Sequence, residues 1–137
     1  MEFVVLPMDK KIKIGKISNE IDFEPQLSGI NDNEKIKTGE IREINVDFIE
    51  KYSYGKKIIP SNTEFRLYVK ENNREIDVFN YHPIERRYDE HMFIIDSNGL
   101  IPNEYYIDIR TKYGRNVKYF DNVLRFTVVS NVTNFYK

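Results

Sequence analysis

The sequence predicts an all-β protein, an antiparallel β-sandwich with an extended N-terminal arm. The first observation is the alternation of apolar and polar residues over short runs, because a half-buried strand turns successive side chains to opposite faces. The second is a composition without alanine, the strongest helix former, in which Ile, Val, Tyr and Phe supply the apolar residues. The third is the spacing of about 8–12 residues between turn signals, which is typical of sandwiches and small barrels.

The stretch from Ile101 to Val129 carries the clearest alternation, and the rest of the fold is predicted to pack on it. Turn-forming residues at 113–116 and at Asp121–Asn122 divide this stretch into three predicted strands. The apolar positions that alternate with polar neighbours are Tyr105, Ile107, Ile109, Leu124, Phe126 and Val128.

Further strands are predicted upstream, starting at Glu40. Their alternating positions lie in the segments 44–48, 65–69, 76–78 and 92–95. Glu71 to Arg74 reads as a hairpin turn, because Asn72 and Asn73 tolerate the left-handed conformation that tight hairpins require. With the three strands above, the count is about seven strands and no segment shows a helical period.

Residues 1–37 differ from the rest, and we predict that they form an extended arm ahead of a sandwich at 38–137. Short alternating runs occur at Phe3–Leu6 and Lys11–Ile14, and a segment rich in turn formers follows. Loops of this length inside compact domains are uncommon unless they are functional or disordered. Two interpretations stay open: a first strand with a floppy connection, or an arm that becomes ordered on a partner.

The composition limits the classes of protein to which the chain can belong. The chain has 137 residues, of which 40% are hydrophobic, and this fits one domain with a sizeable core. Its 21 basic and 22 acidic residues give no dominant basic field for nucleic acid. It has no cysteine for a disulfide or a thiolate metal site and no apolar run long enough for a membrane span. The acidic residue at position two and the short apolar run before Pro7 lead us to expect no secretion signal.

The run Tyr81 to Glu90 is predicted to be a polar loop. The two histidines, His82 and His91, have acidic neighbours here, but their spacing matches no zinc or calcium pattern. A solvated loop is the simple interpretation, and a partner-contacting loop is the alternative. The candidate contacts at the centre of the run are Arg86, Arg87 and Tyr88, since Arg and Tyr are enriched at interface hot spots.

No residue pattern predicts catalysis. The sequence lacks a cysteine nucleophile, GxSxG, HExxH and a Gly-rich phosphate loop. Asp108 shares a strand face with Tyr106 and Arg110, and we expect it to form a solvent-facing pair with a Lys or Arg of the next strand. The segments Asn31–Glu34 and Asp96–Gly99 are expected to be turns and not calcium loops, because neither has the full ligand spacing.

The segment Leu100 to Ile109, LIPNEYYIDI, resembles the approach to strand F in immunoglobulin-like sandwiches. In that family a tyrosine hydroxyl bonds back to the preceding loop, and Tyr105 or Tyr106 would fill the role here. The resemblance covers roughly residues 38–131 and implies an Ig-like antiparallel β-sandwich. The chain departs from antibody domains because it lacks both their cysteines and their core tryptophan.

The sequence IPNEYYIDIR…VLRFTVVSN is also similar to Ig-like modules in structural proteins of crAss-like and other large tailed bacteriophages. This resemblance implies a non-enzymatic virion protein of the head, neck or tail, assembled in the host cytoplasm in many copies. Its partners would be other virion or assembly proteins, with no membrane, nucleic acid, small-molecule ligand, cofactor or metal. The alternative is a free-standing carbohydrate- or receptor-binding module, which would need exposed aromatic residues such as Tyr52, Tyr54, Tyr81 and Tyr88.

Three segments are expected to contact the partners: the arm, the 81–91 loop and the C-terminal tail. An arm can add a strand to an exposed sheet edge of a neighbouring copy, where main-chain hydrogen bonds give affinity. The candidate contact residues are Phe3, Val5, Ile12, Ile14, Arg86, Arg87, Tyr88, Phe135 and Tyr136.

Overall fold

The computed structural model describes residues 22–52, 55–87 and 90–130. Within these ranges the chain forms ten strands and no α-helix, which confirms the predicted all-β class. The strands are β1 (Phe23–Ser28), β2 (Glu34–Lys37), β3 (Ile41–Glu50), β4 (Lys57–Ile58), β5 (Asn62–Glu71), β6 (Arg74–Pro83), β7 (Glu85–Arg87), β8 (Glu90–Asp96), β9 (Asn103–Tyr113) and β10 (Asn116–Val129).

The strands form two sheets that pack as a sandwich. The first sheet has the order β1-β3-β8-β7, with β4 also paired to β3, and the second has the order β2-β10-β9-β5-β6. The pairs between these strands are antiparallel apart from β2–β10, which is parallel.

The core lies between the sheets and follows the alternation in the sequence. Every second residue of the central strands points inward and is buried, because the pleat sends its neighbours to the other face. Burial of apolar surface contributes about 25 cal/mol per Å² to stability. The buried residues of β3, β5, β9 and β10 include Ile44, Val46, Phe48, Phe65, Leu67, Tyr105, Ile107, Ile109, Leu124, Phe126 and Val128.

The sandwich includes residues that the sequence placed in the arm. β1 pairs with β3 from Phe23 to Ser28, and β2 pairs with β10. The chain passes from one sheet to the other at Gly29, whose φ of +109° favours glycine. A Cβ there would lie 2.1 Å from the carbonyl oxygen of Glu43, so no larger residue fits without a shift. The predicted boundary at 38 is therefore too late, while the segments 3–6 and 11–14 lie outside the described ranges.

Most of the predicted turns are present. Asn72 and Asn73 both have positive φ between β5 and β6, as the hairpin requires, and Gly114 has a φ of 65° between β9 and β10. The Asp96–Gly99 segment forms a short 3-10 turn in which the Asp96 side chain accepts a hydrogen bond from the Asn98 backbone N–H. At Asn31–Glu34 the Glu34 N–H donates to the Asn31 carbonyl, which closes the predicted turn.

Two local predictions differ from the structure. Asp121–Asn122 is not a hairpin turn but a bulge inside β10, which continues to Val129, so the stretch after Ile101 holds two strands instead of three. The run 81–90 is not a loop, since β6 reaches Pro83 and β7 covers Glu85 to Arg87. In contrast, the hydroxyl of Tyr105 donates to the Ile101 carbonyl at 2.5 Å, which is the backward bond predicted for Tyr105 or Tyr106.

Candidate functional site

Only two of the candidate contact residues fall in the described part of the chain. Arg86 and Arg87 lie in β7, the short edge strand of the first sheet, and both are exposed. Arg87 forms an ion pair with Glu85 at 3.2 Å, while Arg86 lines a cleft at one end of the sandwich. The other candidates lie outside the described residues: Phe3, Val5, Ile12, Ile14, Tyr88, Phe135 and Tyr136.

Among the described strands, the second sheet ends in β6, a ten-residue strand that is exposed along almost its whole length. Its register with β5 places Ile76 and Phe79 opposite the inward residues Val69 and Leu67. Yet Ile76 is 40% exposed and Phe79 is 50% exposed. The first sheet ends on this side in β7, which has three residues and leaves much of the inner side of β6 uncovered.

An apolar groove lies beside this edge, between β6 and strands β7 and β8. Its volume is about 330 Å³. The ring of Phe65 stacks on Phe93 at 4.2 Å and contacts Phe79 edge-on at 6.5 Å. The groove is lined by Phe65, Phe79, His82, Pro83, Glu85, Met92, Phe93 and Ile94. Apolar surface of this kind beside an unpaired edge is where another chain can bind by strand addition.

A polar network centred on Asp108 covers the outer face of the second sheet. Asp108 accepts hydrogen bonds from Arg66 Nη1 at 3.0 Å, from the Tyr68 hydroxyl at 3.0 Å and from the Asn122 N–H at 2.7 Å. The pair with a cross-strand Arg was predicted, but the solvent-facing environment was not: Asp108 is 3% exposed. Burial and the bond to Asp108 raise the pKa of Tyr68, so its hydroxyl stays protonated and donates.

The bulge in β10 explains how the buried carboxylate is satisfied. Leu124 pairs with Ile107 and Phe120 pairs with Ile109, so three residues of β10 oppose Asp108 alone. Asn122 has a φ of 53°, and its N–H turns toward the carboxylate. A bulge of this type changes the direction in which backbone groups point, and it is part of the fold and not a defect.

Aromatic rings on the same face are covered by cations. Arg66 lies over Tyr68 at 4.2 Å, Lys70 over Tyr106 at 4.6 Å and Arg110 over Tyr81 at 4.1 Å. Tyr81 was a candidate for a glycan-stacking cluster, and its ring also contacts Tyr119 at 6.3 Å. Of the other candidates, Tyr52 is 82% exposed, and Tyr54 and Tyr88 are not described.

A cleft of about 470 Å³ opens at the end of the sandwich where β5 begins and β9 ends. Its walls include the buried side chains of Thr63, Thr111 and His91. Each of the three points to the core side of its strand, like the residue two positions further along the chain. His91 is 3% exposed, in contrast to the solvated loop predicted for it. Its ring packs edge-on against Phe48 at 5.7 Å.

The buried imidazole gives a pH-dependent stability. Burial, followed by the charges of Arg86 and Lys57, lowers the pKa of His91, and Asp47 acts in the opposite direction. The unfolded chain therefore takes up a proton at His91 at a higher pH than the folded chain. Stability should fall by up to about 1.4 kcal/mol per pH unit as the pH decreases below about 6.5.

Urea denaturation at pH 7.0 and pH 5.5 checks this expectation. The fall in the free energy of unfolding between the two pH values should shrink in His91→Gln. The exposed His82 supplies the matched control, and His82→Gln should keep the wild-type difference. A wild-type difference that survives in His91→Gln would contradict the assignment.

Among the residues that the structure describes, no group of three or more His, Asp or Glu side chains is placed to hold a metal ion. In the same residues, no helix is long and apolar enough to cross a membrane. No protein-family model matches the chain, and no curated protein matches it either.

Proposed function

We propose that the chain is a non-enzymatic structural subunit of a larger assembly, an Ig-like virion protein of a tailed phage that acts through protein–protein contacts. The observation that carries the proposal is the ten-residue β6 edge with exposed Ile76 and Phe79 beside an apolar groove. The similarity of residues 101–131 to Ig-like phage modules supports a place in the virion of a tailed phage. The strand order of the two sheets agrees with an Ig-like topology.

The occupant of the β6 edge is the N-terminal arm of a second copy of this chain. In an added strand, Ile12 and Ile14 face one side and Lys11 and Lys13 face the other. If the isoleucines turn to the inner side of β6, they cover the exposed Phe79 and the groove. Residues 3–14 span roughly 40 Å when extended, enough for the full length of β6.

The charges on the outer side of β6 suit the two lysines. Arg66 binds three carboxylates: Glu75 at 2.9 Å, Asp77 at 2.6 Å and Asp108 at 3.0 Å. One guanidinium leaves this cluster with excess negative charge, and Glu75 and Asp77 are partly exposed at the strand edge. An arm strand in the orientation above places Lys11 and Lys13 on this side, where opposite charges attract.

Assembly of the purified chain tests the proposal. Sedimentation and light scattering should show species heavier than one chain for the wild type. Phe79→Asp and Ile14→Asp should each leave a single-chain mass, because a buried unpaired charge would lie in the contact. Ile41→Asp is the matched control, since Ile41 is an exposed isoleucine of the first sheet and should tolerate the change without loss of assembly.

Far-UV circular dichroism and urea denaturation confirm that each variant is folded before its mass is interpreted. A wild-type chain of single mass at every concentration would overturn the role of a second copy. So would normal assembly of both Phe79→Asp and Ile14→Asp.

A second function is favoured by the contact between the half-buried Tyr81 and the exposed Tyr119 on the outer face. Tyr119 is 60% exposed, and Arg110 stacks on Tyr81 beside it. A free-standing carbohydrate- or receptor-binding module would use such rings to stack on a sugar. A glycan array separates the two functions: binding of a neutral sugar that is lost in both Tyr81→Ala and Tyr119→Ala favours the module, and no binding of neutral sugars favours the assembly subunit.

A further inference from the structure

The end cleft between β5, β8 and β9 differs from the rest of the sandwich interior because polar residues occupy its inward positions. In β5, Thr63 points to the same face as Phe65 and Leu67. In β8, His91 points to the same face as Phe93. The polar residues Thr63 and His91 are buried, and so are these apolar neighbours, so the change from apolar to polar lining is confined to the end of the core.

Thr63 and Thr111 form a hydrogen bond with each other through their hydroxyl groups. Thr111 Oγ1 donates to the Asn62 carbonyl at 2.9 Å, so the hydroxyl of Thr63 donates to Thr111 Oγ1 across 2.7 Å. His91 Nε2 has no such partner. In the part of the chain that the structure describes, no other buried side-chain nitrogen or oxygen lacks a hydrogen bond. An unpaired buried polar atom is unfavourable, which calls for a group that pairs with it.

The charge on the walls indicates the sign of that group. Among the residues that the structure describes, Arg86, Arg110 and Lys112 line the cleft together with one carboxylate, Glu64. Glu64 is bound to Arg110, and basic side chains outnumber acidic ones among these described residues, although the whole chain has a net charge of −1. A cleft lined by one sign of charge attracts ligands of the opposite sign.

The remaining residues of the cleft are suited to contact the uncharged part of a small molecule. Val117 and Tyr119 are more than half exposed at the rim. The volume of about 470 Å³ falls within the range of small-molecule sites in proteins. Such sites combine apolar and aromatic walls with a few convergent polar groups, as this cleft does.

We propose that the end cleft binds a small organic anion. Arg86 and Lys112 bind its carboxylate or phosphate group, His91 Nε2 pairs with one of its polar atoms, and Tyr119 covers its body. This site is independent of the β6 edge and of assembly, and it differs from the sequence-based expectation of no small-molecule ligand.

Calorimetric titration at low salt tests the proposal with three probes on one sugar frame: glucuronate, glucose 6-phosphate and neutral glucose. Binding of one or both anions without binding of glucose supports the site, and the stronger anion tells carboxylate from phosphate. Inorganic phosphate alone tells whether the oxyanion binds without the sugar body. The proposal is overturned if neither sugar anion binds with a Kd below about 1 mM, or if glucose binds equally well.

Two neighbouring arginines of β7 give a matched pair of variants. Arg86 lines the cleft and Arg87 does not, so Arg86→Gln should weaken anion binding by about 10-fold or more, whereas Arg87→Gln should leave it unchanged. Lys112→Gln is a second variant with the same expected loss. In NMR spectra of the full chain, the ring signals of His91 should shift on titration and those of His82 should not. Equal binding by both cleft variants and the wild type would overturn the assignment.

Discussion

Replacing Asp108 by alanine is expected to lower the free energy of unfolding by about 3–5 kcal/mol, because it breaks a buried ion pair and leaves its partners unsatisfied. The side chain is 3% exposed and accepts from Arg66, from Tyr68 and from the Asn122 backbone. Without the carboxylate, the buried Tyr68 hydroxyl and the N–H of the β10 bulge lose their acceptor. Urea denaturation monitored by circular dichroism measures the change.

The matched control is Asp77→Ala, which removes another carboxylate from the same guanidinium. Asp77 is bound to Arg66 Nε at 2.6 Å, but its side chain is 40% exposed. Water can replace an exposed partner, so we expect a loss of only about 0–1 kcal/mol. Equal losses in the two variants would show that burial is not what makes Asp108 important.

The strands and hairpins could be predicted because their signals are local. Asn72 and Asn73 specify the turn between β5 and β6 by tolerating positive φ, and Tyr105 bonds to a carbonyl only four residues away. Asn122 carries the same local signal as a turn, with a φ of 53°. It forms a bulge because its N–H meets Asp108, fourteen residues away on the neighbouring strand. No local pattern distinguishes those two outcomes.

The candidate site depends on contacts that are distant in the sequence. His91 stands in a polar run that reads as a loop, yet β8 pairs with β3 and turns the imidazole inward against Phe48. Thr63 and Thr111 are 48 residues apart and become neighbours only when β5 pairs with β9. The exposure of Phe79 follows from the shortness of β7, which the sequence did not predict as a strand.

Replacing Phe23 by alanine is expected to lower the free energy of unfolding by about 3–5 kcal/mol, as for other buried phenylalanines. Phe23 is 1% exposed at the start of β1. Its ring contacts Phe48 of its own sheet at 5.7 Å, and Tyr113 and Phe120 of the opposite sheet at 5.6 Å and 5.8 Å. Truncation would therefore open a cavity between the sheets, which cannot collapse without moving both.

Phe23→Ala tests whether the sandwich begins at residue 38, as the sequence predicted, or at Phe23, as the structure shows. If residues 23–37 were an arm, Phe23→Ala would change stability no more than Tyr52→Ala, an 82% exposed aromatic for which we expect a change within about 0.5 kcal/mol. Because Phe23 joins the two sheets, its loss should instead resemble that of a central core residue. Deleting residues 1–37 would then remove β1 and β2 with the arm, so assembly experiments should truncate the chain well before Phe23.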